Sequence, residues 1–302
     1  MRGVRKLIFF SETKFDFCGD EYIYAEISRE MRIESTLKAL SITNELQERK
    51  IPGIIEIYPN NTSYLIRYDP NTISPHHLLE YLRDVDSMKN EHESLNFQSR
   101  IIEIPVLYND EWTKEVSGKY SAQHGGEEKS NFDYVMELTG YSSKEDFIQA
   151  HSRPLYFVTS LGFKPGTAWC FPLIKERERI IEVPKYKSPR PFTPERAVGL
   201  GGAFTVVYPS DSPGSYQLIG MAAVPVYDVN QKLEPFKESF FLARPGDLWK
   251  YRPVSEAEYQ NIREQVSSGT YEFNIKHVTF SASRYEEKGD LYIADLMEGL
   301  RS

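Results

Sequence analysis

The stretch AFTVVYPSDSPGSYQLIGMA, residues 203–222, carries the pattern that decides the fold of the second half of the chain. Two short runs rich in β-branched and aromatic residues, 203–208 and 217–222, flank a segment of Pro, Ser, Asp and Gly that favours a turn. Similar short apolar runs between Gly and Pro breaks recur at 155–159 and 239–242. Regularly spaced short strands of this kind predict an antiparallel barrel or sandwich from His151 onward.

The first half of the chain has a different pattern, in which strands and helices alternate. In chain order it predicts a strand at 21–27, a helix that ends before Pro52-Gly53, a hairpin of 54–58 and 64–68, a helix opened by Ser74-Pro75, and a strand at 101–107. The order β-α-β-β-α-β is typical of a split βαβ, ferredoxin-like domain.

The length of 302 residues favours two domains over one. We predict an α/β domain at 1–107, an insertion and helical connection at 108–150, and a mainly-β domain at 151–302. Within the connection, 108–132 is polar and is expected to be a loop, whereas 133–150 carries a helical pattern broken at Thr139-Gly140.

Composition excludes several classes of function. A formal charge of −8 and a pI of about 5.4 give no long-range attraction for nucleic acid or anionic membranes. The apolar run at 7–10 is too short for a signal peptide, and we expect Cys18 and Cys170 to be buried thiols, so a cytoplasmic location is predicted. No metal site is expected, because His76-His77 are neighbours at a helix start without a second matched pair.

Several motifs occur along this chain in a fixed order. They are Gly19-Asp20, the 53–70 hairpin, Ile104-Pro105-Val106, His151-Ser152, the 161–166 turn, Pro189-Arg190, the 198–202 run, Tyr208-Pro209, 212–220 and Pro245-Gly246-Asp247. This ordered set resembles the allophanate hydrolase subunit 1 family, also called carboxyltransferase domain subdomains C and D. The family includes the B-type subunit of 5-oxoprolinase and Kip-type kinase inhibitors. The chain departs from the family pattern at three places. Thr167 stands where the family usually has an aromatic residue, Ser215-Tyr216 where it usually has Gly-Trp, and Glu195-Arg196 where it usually has small residues.

The resemblance implies a ferredoxin-like N-terminal domain and a cyclophilin-like β-barrel C-terminal domain. It also implies a partner of related barrel fold, allophanate hydrolase subunit 2 or the C-type subunit of oxoprolinase. In the 5-oxoprolinase assignment a LamB-type subunit completes an enzyme that uses ATP to cleave the lactam of 5-oxo-L-proline, which is a small carboxylate substrate. No phosphate loop and no biotinyl-lysine motif occurs in this chain, so ATP or biotin would be carried by a partner.

Candidate site residues follow from residue chemistry together with these motifs. We predict His151 and Arg190 as catalytic, with His151 opening the first barrel strand and sharing a face with Arg153; the imidazole would exchange protons and an arginine would hold a carboxylate. For each residue the alternative is a structural role in a turn, a domain junction or a core. The predicted substrate-binding residues are Arg153, Gly162, Phe163, Gly166, Ser212, Gly214 and Gln217.

Three functions remain open on the sequence. The chain is predicted to be a subunit of a 5-oxoprolinase-like or carboxyltransferase-like complex acting on a small amide or lactam carboxylate, active only with its partners. The alternatives are a regulator that inhibits a sensor histidine kinase and the carboxyltransferase subunit of a biotin-dependent, urea-type carboxylase. An enzyme requires a polar concave site in the barrel, whereas an inhibitor requires an exposed apolar patch.

Overall fold

The computed structural model describes residues 12–89, 95–120 and 129–300. The apolar run at 7–10 and Gly125-Gly126 lie outside the described residues. The chain divides into two compact units, the first comprising residues up to 98 together with 279–288 and the second comprising 99–278 together with 289 onward. Within the described ranges, no helix has both the length and the apolar character needed to cross a membrane.

The first unit is a four-stranded antiparallel sheet with two helices on one face. Its core joins Ile23 and Ile66 of the sheet to Leu46 and Leu82 of the helices. The strand order is β1-β2-β4-β3, and the elements are β1 (Lys14–Phe17), β2 (Tyr22–Glu26), α1 (Ile33–Arg49), β3 (Ile54–Pro59), β4 (Ser63–Tyr68) and α2 (Pro75–Met88).

The strand predicted at 101–107 does not join this sheet, and the ferredoxin-like arrangement is not confirmed. It lies in β5 (Asn96–Tyr108), a barrel strand, while β1 supplies the fourth strand of the α/β sheet. The first unit boundary accordingly follows residue 98, not 107. Apolar periodicity identifies a strand but does not show which strands it pairs with. The sequence analysis therefore assigned residues 101–107 to the wrong sheet.

The second unit contains a closed seven-stranded barrel. Its strands are β5, β6 (Tyr156–Leu161), β7 (Ala168–Pro172), β9 (Ala197–Gly201), β10 (Phe204–Val207), β12 (Gln217–Ala222) and β13 (Leu248–Pro253). The strand order around the barrel is β12-β9-β10-β7-β6-β13-β5, and the barrel closes through the pairing of β5 with β12. A further strand, β14 (Ile275–Ser281), also pairs with β5. A separate two-stranded ribbon consists of β8 (Arg190–Thr193) and β11 (Ser212–Gly214).

The helices that follow β5 in the chain are α3 (Glu111–Lys119), α4 (Asn131–Thr139), α5 (Lys144–Ser152), α6 (Glu256–Ser268), α7 (Ala282–Lys288) and α8 (Asp290–Met297). Residues of α3, α4, α5 and α6 pack in or against the barrel core, whereas α7 belongs to the first unit. The break predicted at Thr139-Gly140 is confirmed, because Gly140 ends α4 at φ 77° and the Ser143 side chain caps α5. The loop predicted at 108–132 instead contains α3, whose N-terminus is capped by the Asp110 carboxylate.

The two cysteines differ in environment. Both are free, but Cys18 is exposed, since it follows the edge strand β1, whereas Cys170 is buried in β7. The expectation of two buried thiols is therefore wrong for Cys18.

Candidate functional site

The ribbon of β8 and β11 brings three predicted site residues together. Its register places Gly214 opposite Arg190 and Ser212 opposite Thr193. A Cβ at Gly214 would lie 2.4 Å from the Tyr208 hydroxyl and 2.6 Å from Thr193 Oγ1, so only glycine fits this close approach. The sequence motif at 212–214 thus gives Arg190 a neighbouring strand that contributes little side-chain bulk.

Arg190 is a wholly buried cation, with 0% of its surface exposed. Its Nε donates to Thr193 Oγ1 at 3.0 Å, its Nη1 donates to the Tyr216 carbonyl at 2.7 Å, and its guanidinium lies 5.0 Å from the centroid of the Tyr186 ring. Burial lowers the pKa of Arg190, and the neighbouring groups that raise it are the phenols of Tyr208 and Tyr186. Among the described residues, no carboxylate pairs with this guanidinium.

Three polar atoms in this region lack a hydrogen-bond partner. They are Nη2 of Arg190, Oγ of Ser212 and the hydroxyl of Tyr216. Burial also raises the pKa of the Tyr216 phenol, which therefore stays protonated and remains a donor. Buried donors without acceptors cost free energy of the order of 1–3 kcal/mol each, so the region is suited to receive acceptor atoms from a ligand.

An aromatic surface adjoins the ribbon. Tyr216 and the half-buried Trp169 have ring centroids 6.5 Å apart, and Lys185 Nζ lies 5.2 Å from the former and 5.5 Å from the latter. Gly201 makes this packing possible, because a Cβ there would meet the Tyr216 ring at 2.8 Å. The two rings pack edge to face at an interplanar angle of 68°, and the Lys185 ammonium lies over both, so the cluster forms an aromatic wall beside the ribbon.

The predicted turn at 162–166 is tied to the segment that leads into β11. Lys164 Nζ donates to the Asp211 carbonyl at 2.6 Å. Phe163 has a φ of 68°, which is strained for a non-glycine residue, and 70% of its surface is exposed. Gly166 is held at φ 83° with a Cβ position only 2.4 Å from the Phe241 ring. The contacts of Lys164 and Gly166 therefore fix the turn, so that Gly162 and Phe163 lie beside the ribbon.

Gln217 is also buried, and its Nε2 donates to the Pro184 carbonyl at 2.8 Å. Together with the hydrogen bond from Tyr186 N to Ser215 O at 2.7 Å, it fastens residues 184–186 over the Arg190 guanidinium. We call residues 183–189 the strap. Gln217 therefore holds the strap in place, whereas the sequence analysis predicted that it contacts a ligand directly.

His151 lies in α5, not at the start of a barrel strand. It is 0% exposed, and its ring nitrogens contact the Tyr108 hydroxyl at 2.8 Å and Thr205 Oγ1 at 2.9 Å. Burial, assisted by the charge of Lys250, lowers its pKa to about 3. The imidazole is therefore neutral at physiological pH and enclosed by the barrel core, which contradicts the predicted proton exchange with substrate.

Arg153 does not share a face with His151. Arg153 is exposed at the end of α5 and lines a surface pocket of about 740 Å³, whereas His151 points into the core. The helical turn between residues 151 and 153 separates their side chains by about 200° around the axis, whereas the predicted strand would have placed them on one face.

Several residues of this region were missed by the sequence analysis: Thr193, Tyr208, Tyr186, Lys185 and Tyr216 in its contact role. The available signal was Gly199-x-Gly201, because two glycines two residues apart on a strand leave room on one face for aromatic rings. His76 and His77 are both exposed, and no group of His, Cys, Asp and Glu in the described part of the chain is arranged to hold a metal.

A comparison with protein families supports the sequence resemblance. The model for carboxyltransferase domain, subdomain C and D, matches residues 13–236. The chain belongs to this family.

Relatives of this carboxyltransferase subdomain C and D protein fall into two groups. The B-type subunit of 5-oxoprolinase from Bacillus subtilis is 31% identical over 228 residues, which cover 73% of this chain and 84% of that protein. Urea amidolyase from Saccharomyces cerevisiae is 27% identical over 271 residues, 88% of this chain. The chain spans 15% of the length of that much larger enzyme.

Solved structures support the fold. The crystal structure of Kluyveromyces lactis urea carboxylase superposes with a TM-score of 0.78 and 22% identity, covering 96% of this chain and 26% of that one. At this identity the similarity establishes the architecture of the closed barrel, the separate small sheet and the helices.

Proposed function

We propose that this chain is a subunit of a 5-oxoprolinase-like, ATP-dependent complex that acts on a small amide or lactam bearing a carboxylate. The family membership and the likeness to the B-type subunit of 5-oxoprolinase support a role within a larger assembly. The barrel, which we take to be cyclophilin-like, would supply a binding wall. A partner similar to the C-type subunit of oxoprolinase and a LamB-type subunit would supply the rest.

The observation that carries the proposal is the buried, unpaired charge of Arg190. A buried cation without a counter-ion is costly, and a ligand carboxylate would both neutralise it and accept from Nη2. In this proposal Ser212 Oγ donates to the same ligand, and Phe163 and Gly162 border it from the turn. His151 has no contact with the ligand and instead holds Tyr108 and Thr205 in the core.

The chain's own residues explain why partners are needed. The ribbon and the adjoining Tyr216 provide donors, but the buried groups of the ribbon include no carboxylate or neutral imidazole able to accept a proton from substrate. The site can therefore bind and orient a carboxylate, while activation of the amide needs groups from elsewhere. The exposed free thiol of Cys18 is consistent with the reducing conditions of a cytoplasmic complex.

Ligand entry requires the strap to move. Tyr186 covers the Arg190 guanidinium, and the strap is joined to the barrel at the Val183–Gly202 bridge. We propose that displacement of the Tyr186 ring opens the guanidinium to a carboxylate, with Gln217 and Pro184 as the contact that must give way.

The test is co-purification of the tagged chain from its native cell, followed by an assay for glutamate release from 5-oxoproline and ATP. Recovery of a partner subunit together with glutamate release would establish the proposal. A complex without release would reject 5-oxoproline as the substrate, and recovery of a sensor histidine kinase would favour the regulatory alternative.

A second candidate is the carboxyltransferase unit of a biotin-dependent, urea-type carboxylase. The match to urea amidolyase covers 88% of this chain, against 73% for the B-type subunit of 5-oxoprolinase, so it accounts for more of its length. Biotin and ATP would then be carried by a partner. Transfer of labelled bicarbonate to urea by the recovered complex, in place of glutamate release, would establish this alternative.

A further inference from the structure

Two arginine side chains bind the backbone at the end of β12. Arg196 Nη1 donates to the Ala222 carbonyl at 3.1 Å, and Arg263 Nη1 donates to the next carbonyl, that of Ala223, at 3.1 Å. Consecutive carbonyls therefore anchor two guanidinium groups at the same end of the strand, near enough for the charge of Arg196 to act on Arg263. Arg196 Nη1 also donates to the Tyr259 hydroxyl at 2.7 Å, and Tyr259 lies one turn before Arg263 in α6.

The positive charges of this pair are incompletely balanced. Arg196 Nε is buried without a hydrogen-bond acceptor, and the nearest carboxylate oxygen, from Glu195, is 3.5 Å away on a side chain that is 56% exposed. Burial lowers the pKa of Arg263, and the charge of Arg196 lowers it further. Glu195 is the one acidic residue that forms an ion pair with either arginine among the described residues.

Arg196 is also held in a strained backbone conformation. Its φ is 67°, in the left-handed region that strains a non-glycine residue. The hydrogen bonds from Arg196 N to Tyr208 O at 2.7 Å and from Ala222 N to Arg196 O at 2.9 Å fix it there.

An aromatic ring completes the surroundings. Trp112 of α3 packs against Tyr259 with ring centroids 5.5 Å apart and an interplanar angle of 34°, and 43% of its surface is exposed. The exposed indole therefore lies next to the phenol that contacts Arg196. A ligand bound to the arginines would have a flat apolar surface beside its charged group.

We propose that Arg196 and Arg263 bind the phosphoryl group of a small phosphorylated molecule whose organic part packs on Trp112. Guanidinium groups match phosphate oxygens in geometry, and a tetrahedral dianion can place one oxygen on each of two neighbouring guanidiniums. When the exposed Glu195 side chain turns to solvent, two positive charges remain, which a dianion balances. The proposal uses none of Arg190, Ser212 and Tyr216 and does not depend on the proposed function.

The test is titration of the full-length chain with inorganic phosphate and with phenyl phosphate, followed by calorimetry and tryptophan fluorescence at low ionic strength. We expect saturable binding of both probes, tighter for phenyl phosphate. Arg263→Gln should weaken binding about tenfold or more, because it removes a charge-assisted contact. Arg177→Gln, which removes an exposed arginine of the same unit, should leave binding unchanged.

Two further variants test the same binding site if Arg263→Gln does not fold. Glu195→Gln removes the competing carboxylate and should tighten phosphate binding several-fold, and Trp112→Leu should abolish the advantage of phenyl phosphate over inorganic phosphate. Absence of saturable binding in both the wild type and Glu195→Gln, or equal affinity of the wild type and a folded Arg263→Gln protein, would overturn the proposal.

Discussion

Arg190 and Tyr216 are joined by a 2.7 Å hydrogen bond from the guanidinium Nη1 to the Tyr216 carbonyl oxygen, which ties a wholly buried positive charge to the backbone just before β12. The same side chain keeps Nη2 without an acceptor. Nε and Nη1 thus hold the ribbon and the start of β12 in place, and Nη2 is available to a ligand, so structural and ligand-binding roles coexist in one residue. Substitutions of Arg190 must separate these roles.

Arg190→Met should leave the chain folded. Methionine fills much of the same volume and removes a desolvated charge, so the lost hydrogen bonds are partly offset and the free energy of unfolding should change by less than about 2 kcal/mol. Arg190→Ala should cost about 2–5 kcal/mol because it also opens a cavity. Urea denaturation of both variants measures the difference, and equal destabilisation would refute the charge argument.

Gly214→Ala should destabilise the chain by about 1–3 kcal/mol, because its Cβ would overlap Thr193 Oγ1 and the Tyr208 hydroxyl. Gly118→Ala is the matched control, since a Cβ there meets nothing within 4 Å and the residue is in α3. Alanine in a helix should stabilise it by up to about 1 kcal/mol. Denaturation midpoints of the two variants that moved in the same direction would contradict the packing described here.

Sequence reasoning recovered local structure better than long-range pairing. The hairpin of β3 and β4 and the break between α4 and α5 follow from turn and cap residues, which act on their immediate neighbours. The strand at 101–107 was identified as a strand, yet its partners β12 and β13 lie more than 100 residues away, and no local pattern encodes that choice.

Prediction of the candidate site was likewise successful where local motifs decide and unsuccessful where distant elements decide. Arg190, Ser212 and Gly214 were selected from motifs and do lie on one ribbon. The prediction for His151 was wrong because a histidine beside an apolar run is equally compatible with the end of a helix. Its burial also depends on contacts with four barrel strands, which no local pattern shows.

Substitutions of Phe163 should affect the stability of the chain and the activity of the complex differently. Phe163→Gly and Phe163→Ala both remove the exposed ring, but only glycine adopts φ 68° without strain, so the glycine variant should be more stable by about 1 kcal/mol. Both should weaken activity of the complex equally if the ring borders the ligand. Thermal unfolding and turnover of the pair provide the measurement, and a less stable glycine variant would show that the turn is not strained.

His151 should make stability depend on pH. Its pKa is about 3 in the folded chain and 6.5 when unfolded, so its contribution is fully present above pH 6.5 and is lost as pH falls toward 3. Between pH 7 and pH 5 the loss should be about 2 kcal/mol.

His151→Asn should be less stable than the wild type at pH 7 but should lose less stability on acidification. Asparagine does not take up the proton that the unfolded wild-type histidine binds. Substitution of the exposed His277 by asparagine should retain the wild-type slope. Chemical denaturation at pH 7, 6 and 5 compares the slopes, and parallel slopes for the wild type and His151→Asn would contradict a buried neutral imidazole.

The central claim is tested most directly by comparing glutamate release from 5-oxoproline and ATP in complexes assembled with the wild-type chain and with Arg190→Met. Arg177→Met is the matched control, because it removes an exposed arginine. We predict that all three complexes assemble, and that Arg190→Met lowers turnover by about 100-fold or more, since it removes a charge-assisted contact to the substrate carboxylate. An assembled Arg190→Met complex with the turnover of the wild type would contradict the account.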